Sequence, residues 1–170
     1  MSKYYWRRSD RRPQKLKSLR HGEEAVKDYP KIGTHGEFTK HLVMTPSNGV
    51  LNCAVTEIML IYFPANVSQT FKFEKLEYLV SLLESHFAQF PEVKGMGYGR
   101  GMEDDFPVRG CQDGELGSVL VGFVGWSSDD ALEKARKTDV YNEAIHLIKS
   151  MEGIVSLYIF STNCQFMERE

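Results

Sequence analysis

SVLVGFVGW (Ser118–Trp126), SSDDALEKARKTDVYNEAIHLIKSMEG (Ser127–Gly153) and IVSLYIFST (Ile154–Thr162) follow one another without a break. The first stretch is apolar nearly throughout, which predicts a strand covered on both faces. Ser128 before Asp129 and Asp130 is a helix start. A hydroxyl there satisfies a free N–H, and the carboxylates sit at the positive end of the helix dipole. Two apolar patches follow, Ala131/Leu132/Ala135 and Val140/Ala144/Leu147/Ile148/Met151, with Thr138-Asp139 between them as a second cap. The helix is therefore expected to break at that point. Gly153 can take the left-handed turn that ends it. The whole is a strand–helix–strand unit, which is half a domain.

The other half lies upstream. AVTEIMLIYF (Ala54–Phe63) is rich in strand formers and is closed by Pro64-Ala65-Asn66. Phe73, Leu76, Val80, Leu83, Phe87 and Phe90 then recur at spacings of three and four, and Leu79 widens the stripe. That predicts an amphipathic helix stopped by Pro91. EVKGMGYGRGM (Glu92–Met102) reads as a strand in which Gly95, Gly97, Gly99 and Gly101 leave one face bare. Another segment can approach that backbone closely. Met96, Tyr98, Arg100 and Met102 occupy the opposite face, and Glu103–Gly117 is a polar loop. The order strand, helix, strand, strand, helix, strand predicts an α+β fold. It is the ferredoxin-like βαββαβ arrangement, with a four-stranded antiparallel sheet and the helices on one face.

The chain has 170 residues, with 42% hydrophobic and 26% charged content, which suits one domain with a real core. No apolar run reaches the ~20 residues of a membrane span, and the N-terminal stretch has no hydrophobic signal region. Cys53, Cys111 and Cys164 are odd in number and far apart, so neither a disulfide framework nor a metal site is expected. A reducing cytoplasmic setting follows. The net charge of −2 hides an asymmetry: residues 1–45 hold 11 Lys/Arg against 5 Asp/Glu, and residues 46–170 hold 10 against 18. We read residues 1–45 as a basic arm and residues 46–170 as the folded domain. The arm could tether nucleic acid, an anionic membrane or nothing at all, or serve as an Arg-rich mitochondrial presequence.

GFVGW (Gly122–Trp126), SSDDALEKA (Ser127–Ala135), TDVY (Thr138–Tyr141) and TEIMLIYF (Thr56–Phe63) resemble the dimeric α+β barrel superfamily. That superfamily holds antibiotic-biosynthesis-type monooxygenases, haem-degrading monooxygenases and stress-responsive A/B barrels. The resemblance covers residues 54–163 and implies that two chains set their sheets face to face. A homodimer would also explain strands that show almost no polar face. The implied function is a pocket for a small hydrophobic or aromatic ligand. The implied reaction, if the protein is an enzyme, is cofactor-independent oxygenation of an aromatic or polyketide-like substrate, without metal, or a cyclisation. A non-catalytic dimeric ligand-binding or stress-response protein is the alternative.

On this resemblance, Tyr98, Arg100, Tyr141 and His146 are the candidate catalytic residues. His86, Phe87, Trp126 and Asn142 are the candidates for substrate contact. An arginine near a phenolate would favour the anion. Each has a structural reading beside the functional one: Trp126 as a packing anchor, His146 and Arg100 as surface groups, His86 as a core-edge histidine. The haem-degrading members place their ligand histidine where Ile145 stands, a tryptophan at Ala135 and an asparagine in the first strand, so haem chemistry is not implied. The cyclising barrels have a histidine at Tyr141. The RNA recognition motif shares the strand order, but Val119, Leu120 and Val121 replace its basic and aromatic signature, and the acidic body disfavours nucleic acid.

Overall fold

The computed structural model describes residues 40–45, 49–110 and 115–163. Its strands are β1 (Leu42–Thr45), β2 (Val55–Pro64), β3 (Val93–Gly101), β4 (Phe106–Pro107), β5 (Leu116–Trp126) and β6 (Ser156–Thr162). Its helices are α1 (Gln69–His86), α2 (Asp129–Ala135) and α3 (Asp139–Lys149). All pairings are antiparallel, in the order β1-β3-β5-β2-β6, with β4 also on β5. The run β3-β5-β2-β6 carries the ferredoxin-like order, and the helices pack on one face.

The expected helix ends are present. Ser128 Oγ accepts from the Ala131 N–H at 3.1 Å, and Thr138 Oγ1 accepts from the Tyr141 N–H at 3.3 Å, so α2 and α3 are separate helices. Gly153 has φ of 78°, the left-handed turn before β6.

Three features differ from the sequence expectation. The sheet has six strands rather than four. β1 and β4 span four and two residues, too short to show an alternation in sequence. β1 also carries the folded body upstream of residue 46; the remainder of the basic arm, residues 1–39, lies outside the described residues. The stripe on α1 is rotated at its start. Lys72 is buried and Phe73 is 50% exposed. The Lys72 ammonium pairs with Asp104, which also accepts from Ser118 Oγ at 2.8 Å. Drawing Lys72 inward turns Phe73 outward, where the Arg100 guanidinium lies 5.1 Å from its ring centre. Burial opposes ionisation of Asp104, but Lys72 and Ser118 outweigh it and hold its pKa below the usual value.

The third difference concerns the sheet face turned away from the helices. Its apolar residues Ile58, Tyr62, Val119, Val121 and Phe123 are buried within one chain. Val50, Phe106 and Val108 complete that layer, with Leu42, Met44 and Leu51 packed beside them. The 3₁₀ turn Val50–Asn52 closes against this face within one chain, and β1 lies beside β3 at the sheet edge. The glycines make this contact possible. A Cβ on Gly95 would lie 2.8 Å from the Val50 nitrogen, and one on Gly99 would lie 2.5 Å from the Val43 carbonyl oxygen. Both are closer than real Cβ atoms come.

Candidate functional site

β2 carries one charged side chain, Glu57, and it points into the helix-side core. The residue is fully buried. Odd-numbered residues of β2 face the helices, so Glu57 shares a side with Val55, Met59, Ile61 and Phe63. α2 ends beside it, and Arg136 just past that end reaches back. Arg136 Nη2 donates to Glu57 Oε1 at 2.8 Å and Arg136 Nε donates to the same oxygen at 3.2 Å. Tyr141, in the first turn of α3, donates its hydroxyl to Oε1 at 2.7 Å. The break between α2 and α3 is what brings Arg136 and Tyr141 onto one oxygen.

Glu57 Oε2 is buried and has no hydrogen-bond partner among the described residues. Trp126 Nε1 is likewise buried without a bond of normal geometry, yet its N–H is near enough to favour the Glu57 carboxylate. Burial raises the Glu57 pKa above its ordinary value, and the donors from Tyr141, Arg136 and Trp126 only partly offset this. Burial also raises the Tyr141 pKa, and the Glu57 charge raises it further. Tyr141 therefore stays a hydrogen-bond donor. Burial works against the Arg136 cation, but Glu57 more than compensates and raises its pKa.

Aromatic rings wall the carboxylate. Phe87 lies edge-on to Tyr141 at 5.6 Å and to Trp126 at 6.4 Å, and Phe90 meets Trp126 at 5.6 Å. Phe87 and Trp126 are fully buried, whereas Phe90 is half-buried. Phe90 also lines an open depression of about 420 Å³ with Ser127, Asp130, Ala131, Ala135 and Thr138. Phe90 thus borders both that depression and the Trp126 ring.

Of the expected site residues, Phe87, Trp126 and Tyr141 converge here. The others do not. Arg100 stacks on Phe73 near the far end of β3, and Tyr98 packs, half-buried, against the sheet side of the core. His86 Nδ1 lies 3.2 Å from the Leu82 carbonyl oxygen and 2.9 Å from Ser85 Oγ. His146 is exposed on α3, and Asn142 is exposed with its side-chain amide donating to the Thr138 carbonyl at 2.9 Å. Sequence reading missed Glu57 and Arg136. The signal for Glu57 was there: a lone carboxylate inside a ten-residue apolar strand needs a cationic partner. Among the described residues no cluster of His, Cys, Asp or Glu could hold a metal ion, and no helix is long and apolar enough to cross a membrane.

No family profile matches the chain, and no curated protein matches it by sequence. Solved structures resemble it in shape. A protein of Arabidopsis thaliana is 14% identical, with 68% of this chain and 99% of that one covered, at a TM-score of 0.46. SnoaB, a cofactor-independent oxygenase of Streptomyces nogalater, is 10% identical in a mutant form, with 69% and 99% covered, at 0.42. A dimeric ferredoxin-like protein of Thermobifida fusca is 13% identical, with 64% and 89% covered, at 0.41.

Proposed function

We propose that the Glu57 box binds a small aromatic molecule bearing an acidic hydroxyl, and that Glu57 takes its proton. The observation that carries this reading is Oε2: a fully buried carboxylate oxygen with no partner among the described residues, enclosed by aromatic rings. Arg136 and Tyr141 occupy Oε1, so Oε2 is the basic lone pair a hydroxyl would meet. A raised pKa makes Glu57 a stronger base than an exposed carboxylate. The ligand enters from the depression as Phe90 swings aside, and its ring takes a place against Trp126 and Phe87.

The phenolate so formed is electron-rich and can reduce dioxygen without a cofactor. In such an oxygenation one oxygen atom enters the substrate as a carbonyl, replacing two hydrogens of a CH₂ group. The other leaves as water with those two hydrogens. The side chains supply a base, a dry aromatic wall and hydrogen bonds that hold the base in place. A homodimer is the assembly in which we place this site. The second reading, a ligand-binding barrel without turnover, draws on the same box, because the carboxylate and rings that would hold a substrate would equally hold a ligand that does not react.

Titration calorimetry with 1-naphthol, together with oxygen uptake on a tricyclic phenol carrying a reactive CH₂, tests this. We expect binding and uptake in the native chain. In Glu57→Gln, binding should persist, weakened less than ~10-fold, and uptake should be lost. Binding without uptake in the native chain supports the second reading, and no binding refutes both.

A further inference from the structure

β1 borders the sheet on β3 with four residues, Leu42–Thr45, and none of them is buried. Leu42 stands opposite Gly101, Val43 opposite Arg100, Met44 opposite Gly99 and Thr45 opposite Tyr98. Leu42 and Met44, on one face of β1, thus meet the two positions of β3 that carry no side chain. We infer that the edge of β3 is a strand-recognition groove with β1 as its built-in occupant, and that it takes the same kind of segment from another protein: an extended peptide with two basic residues followed by apolar residues at alternate positions. Backbone pairing supplies the affinity and the alternate side chains supply the selectivity, as in other additions of a strand to a sheet edge. This does not depend on the Glu57 reading.

The groove is defined by what β3 lacks. A Cβ on Gly99 would lie 3.0 Å from Met44 Cγ and 2.5 Å from the Val43 carbonyl oxygen, so any other residue there would push the strand away. Leu42 and Met44 pack against the apolar layer that holds Ile58, Val121 and Phe123. On the other face of β1, Val43 lies across from Arg100, whose guanidinium sits over Phe73. An apolar residue at every second position therefore fits, and an acidic one at the place of Leu42 or Met44 would enter that layer without a partner.

Charge sets the direction and register of the occupant. Glu103, Asp104 and Asp105 follow the end of β3 after Met102. Asp104 is turned to Lys72 and Ser118 of the body. The other two acids face the strand. The Lys40 ammonium pairs with Asp105 and lies 5.8 Å from the Phe106 ring centre. His41 Nδ1 lies 2.6 Å from Glu103 Oε1, and the His41 N–H donates to Glu103 Oε2 at 3.0 Å. Exposed pairs of this kind contribute little each, but together they fix which residue meets Gly101. The occupant is also exchangeable. Its ladder spans four residues, against ten between β2 and β5, and a short exposed edge belongs to the part of a fold that opens first. Being tethered, β1 competes at an effective concentration on the order of millimolar, so a free peptide must displace it.

The test uses the full chain and a fluorescein-labelled peptide TKHLVMT, the sequence of residues 39–45. Leu42→Asp/Met44→Asp in the chain expels its own β1 and leaves β3 intact. Fluorescence anisotropy should show the peptide binding this variant at least ~10-fold more tightly than the native chain, because the tethered competitor is gone. The peptide carrying the same two aspartates should not bind. Adding Gly99→Val to the variant should abolish binding, with hydrogen exchange over β2 and β5 showing that both variants are folded. A folded aspartate variant that does not bind the peptide overturns the inference. So does equal binding of the aspartate peptide, or binding that survives Gly99→Val. Should the aspartate variant fail to fold, the native chain decides. Millimolar peptide should strip amide protection from residues 42–45 and leave β3 protected, and unchanged protection there overturns the inference. Protection over 42–45 that falls on dilution of the native chain also overturns it, since β1 would then be seated on a second copy.

Discussion

Replacing Arg136 by methionine removes the cation beside Glu57 and keeps most of the apolar length of the side chain. Arg136 is 32% exposed, so water can reach it, whereas Glu57 is fully buried. The cost of the change therefore falls on the carboxylate left without its counter-ion. Breaking a buried pair generally costs about 3–5 kcal/mol. Here a second route limits the loss, because Glu57 can take up a proton instead. Protonation costs about 1.4 kcal/mol for each pH unit above the ordinary value of 4.5. The limit is thus ~3.4 kcal/mol at pH 7 and ~0.7 kcal/mol at pH 5. A folded-state pKa above the unfolded one stabilises below the unfolded value, and that stabilisation is lost as pH rises through the folded pKa. The variant should therefore lie close to the native protein at pH 5 and diverge from it toward pH 7. At roughly 3 °C per kcal/mol for a domain of this size, Tm falls by ~2 °C at pH 5 and ~10 °C at pH 7. Thermal melts followed by circular dichroism across that range read the effect directly. Adding Glu57→Gln should restore most of the loss, a coupling of ~2 kcal/mol at pH 7. A loss that does not change with pH, or a double variant that is merely additive, would refute the picture of a buried, charged Glu57.

Lys72→Met should show the opposite pH dependence. Asp104 has a lowered pKa, so the stability its pairing contributes is present above the usual carboxylate range and fades as pH falls through its folded value. A deficit of ~1–2 kcal/mol at pH 7 should shrink by pH 3 in urea melts, and a constant deficit would place the cost in packing alone. Gly125→Ala should destabilise by ~1–3 kcal/mol, because its Cβ would lie 2.2 Å from Cys53 Sγ. Cys53→Gly should recover part of that, and failure to do so would locate the clash elsewhere. Phe90→Ala should speed the entry of 1-naphthol in stopped-flow mixing without abolishing binding. An unchanged rate would mean that the ring does not gate the box.

The fold was legible because periodicities and caps agreed with one another. Ser128, Thr138 and Gly153 mark joints that the structure places at the same positions, and the apolar runs at Ala54–Phe63 and Ser118–Trp126 are the paired strands β2 and β5. The glycine-bare face of β3 was legible too, as a place of close approach, although not what approaches it. The candidate site was legible only in its aromatic half. Phe87, Trp126 and Tyr141 sit on elements whose faces the sequence periodicity fixes. Glu57 and Arg136 become a pair only when a strand and a distant helix end meet, and separation in sequence hides that. The rotation at the start of α1 escaped for a similar reason: the acid that draws Lys72 inward lies in a loop beyond β3.

The register of β2 bears on how the chain is made. It is a long, largely apolar strand, and both its neighbours come later. Val55 is opposite Trp126, and Thr56 is opposite Thr162. On a ribosome, β2 emerges long before β5 and β6 exist to receive it. Pairings so distant in sequence are slow to close, because the entropy of a long loop must be overcome before the first ladder bond forms. The nascent chain thus carries an exposed apolar segment through much of its synthesis. α1, which follows β2 at once and packs on its helix side, is, among the described residues, the large element of the helix layer that can shelter it early. Substitutions that weaken that local pairing would then lower the yield of soluble protein more than they lower the stability of the finished fold.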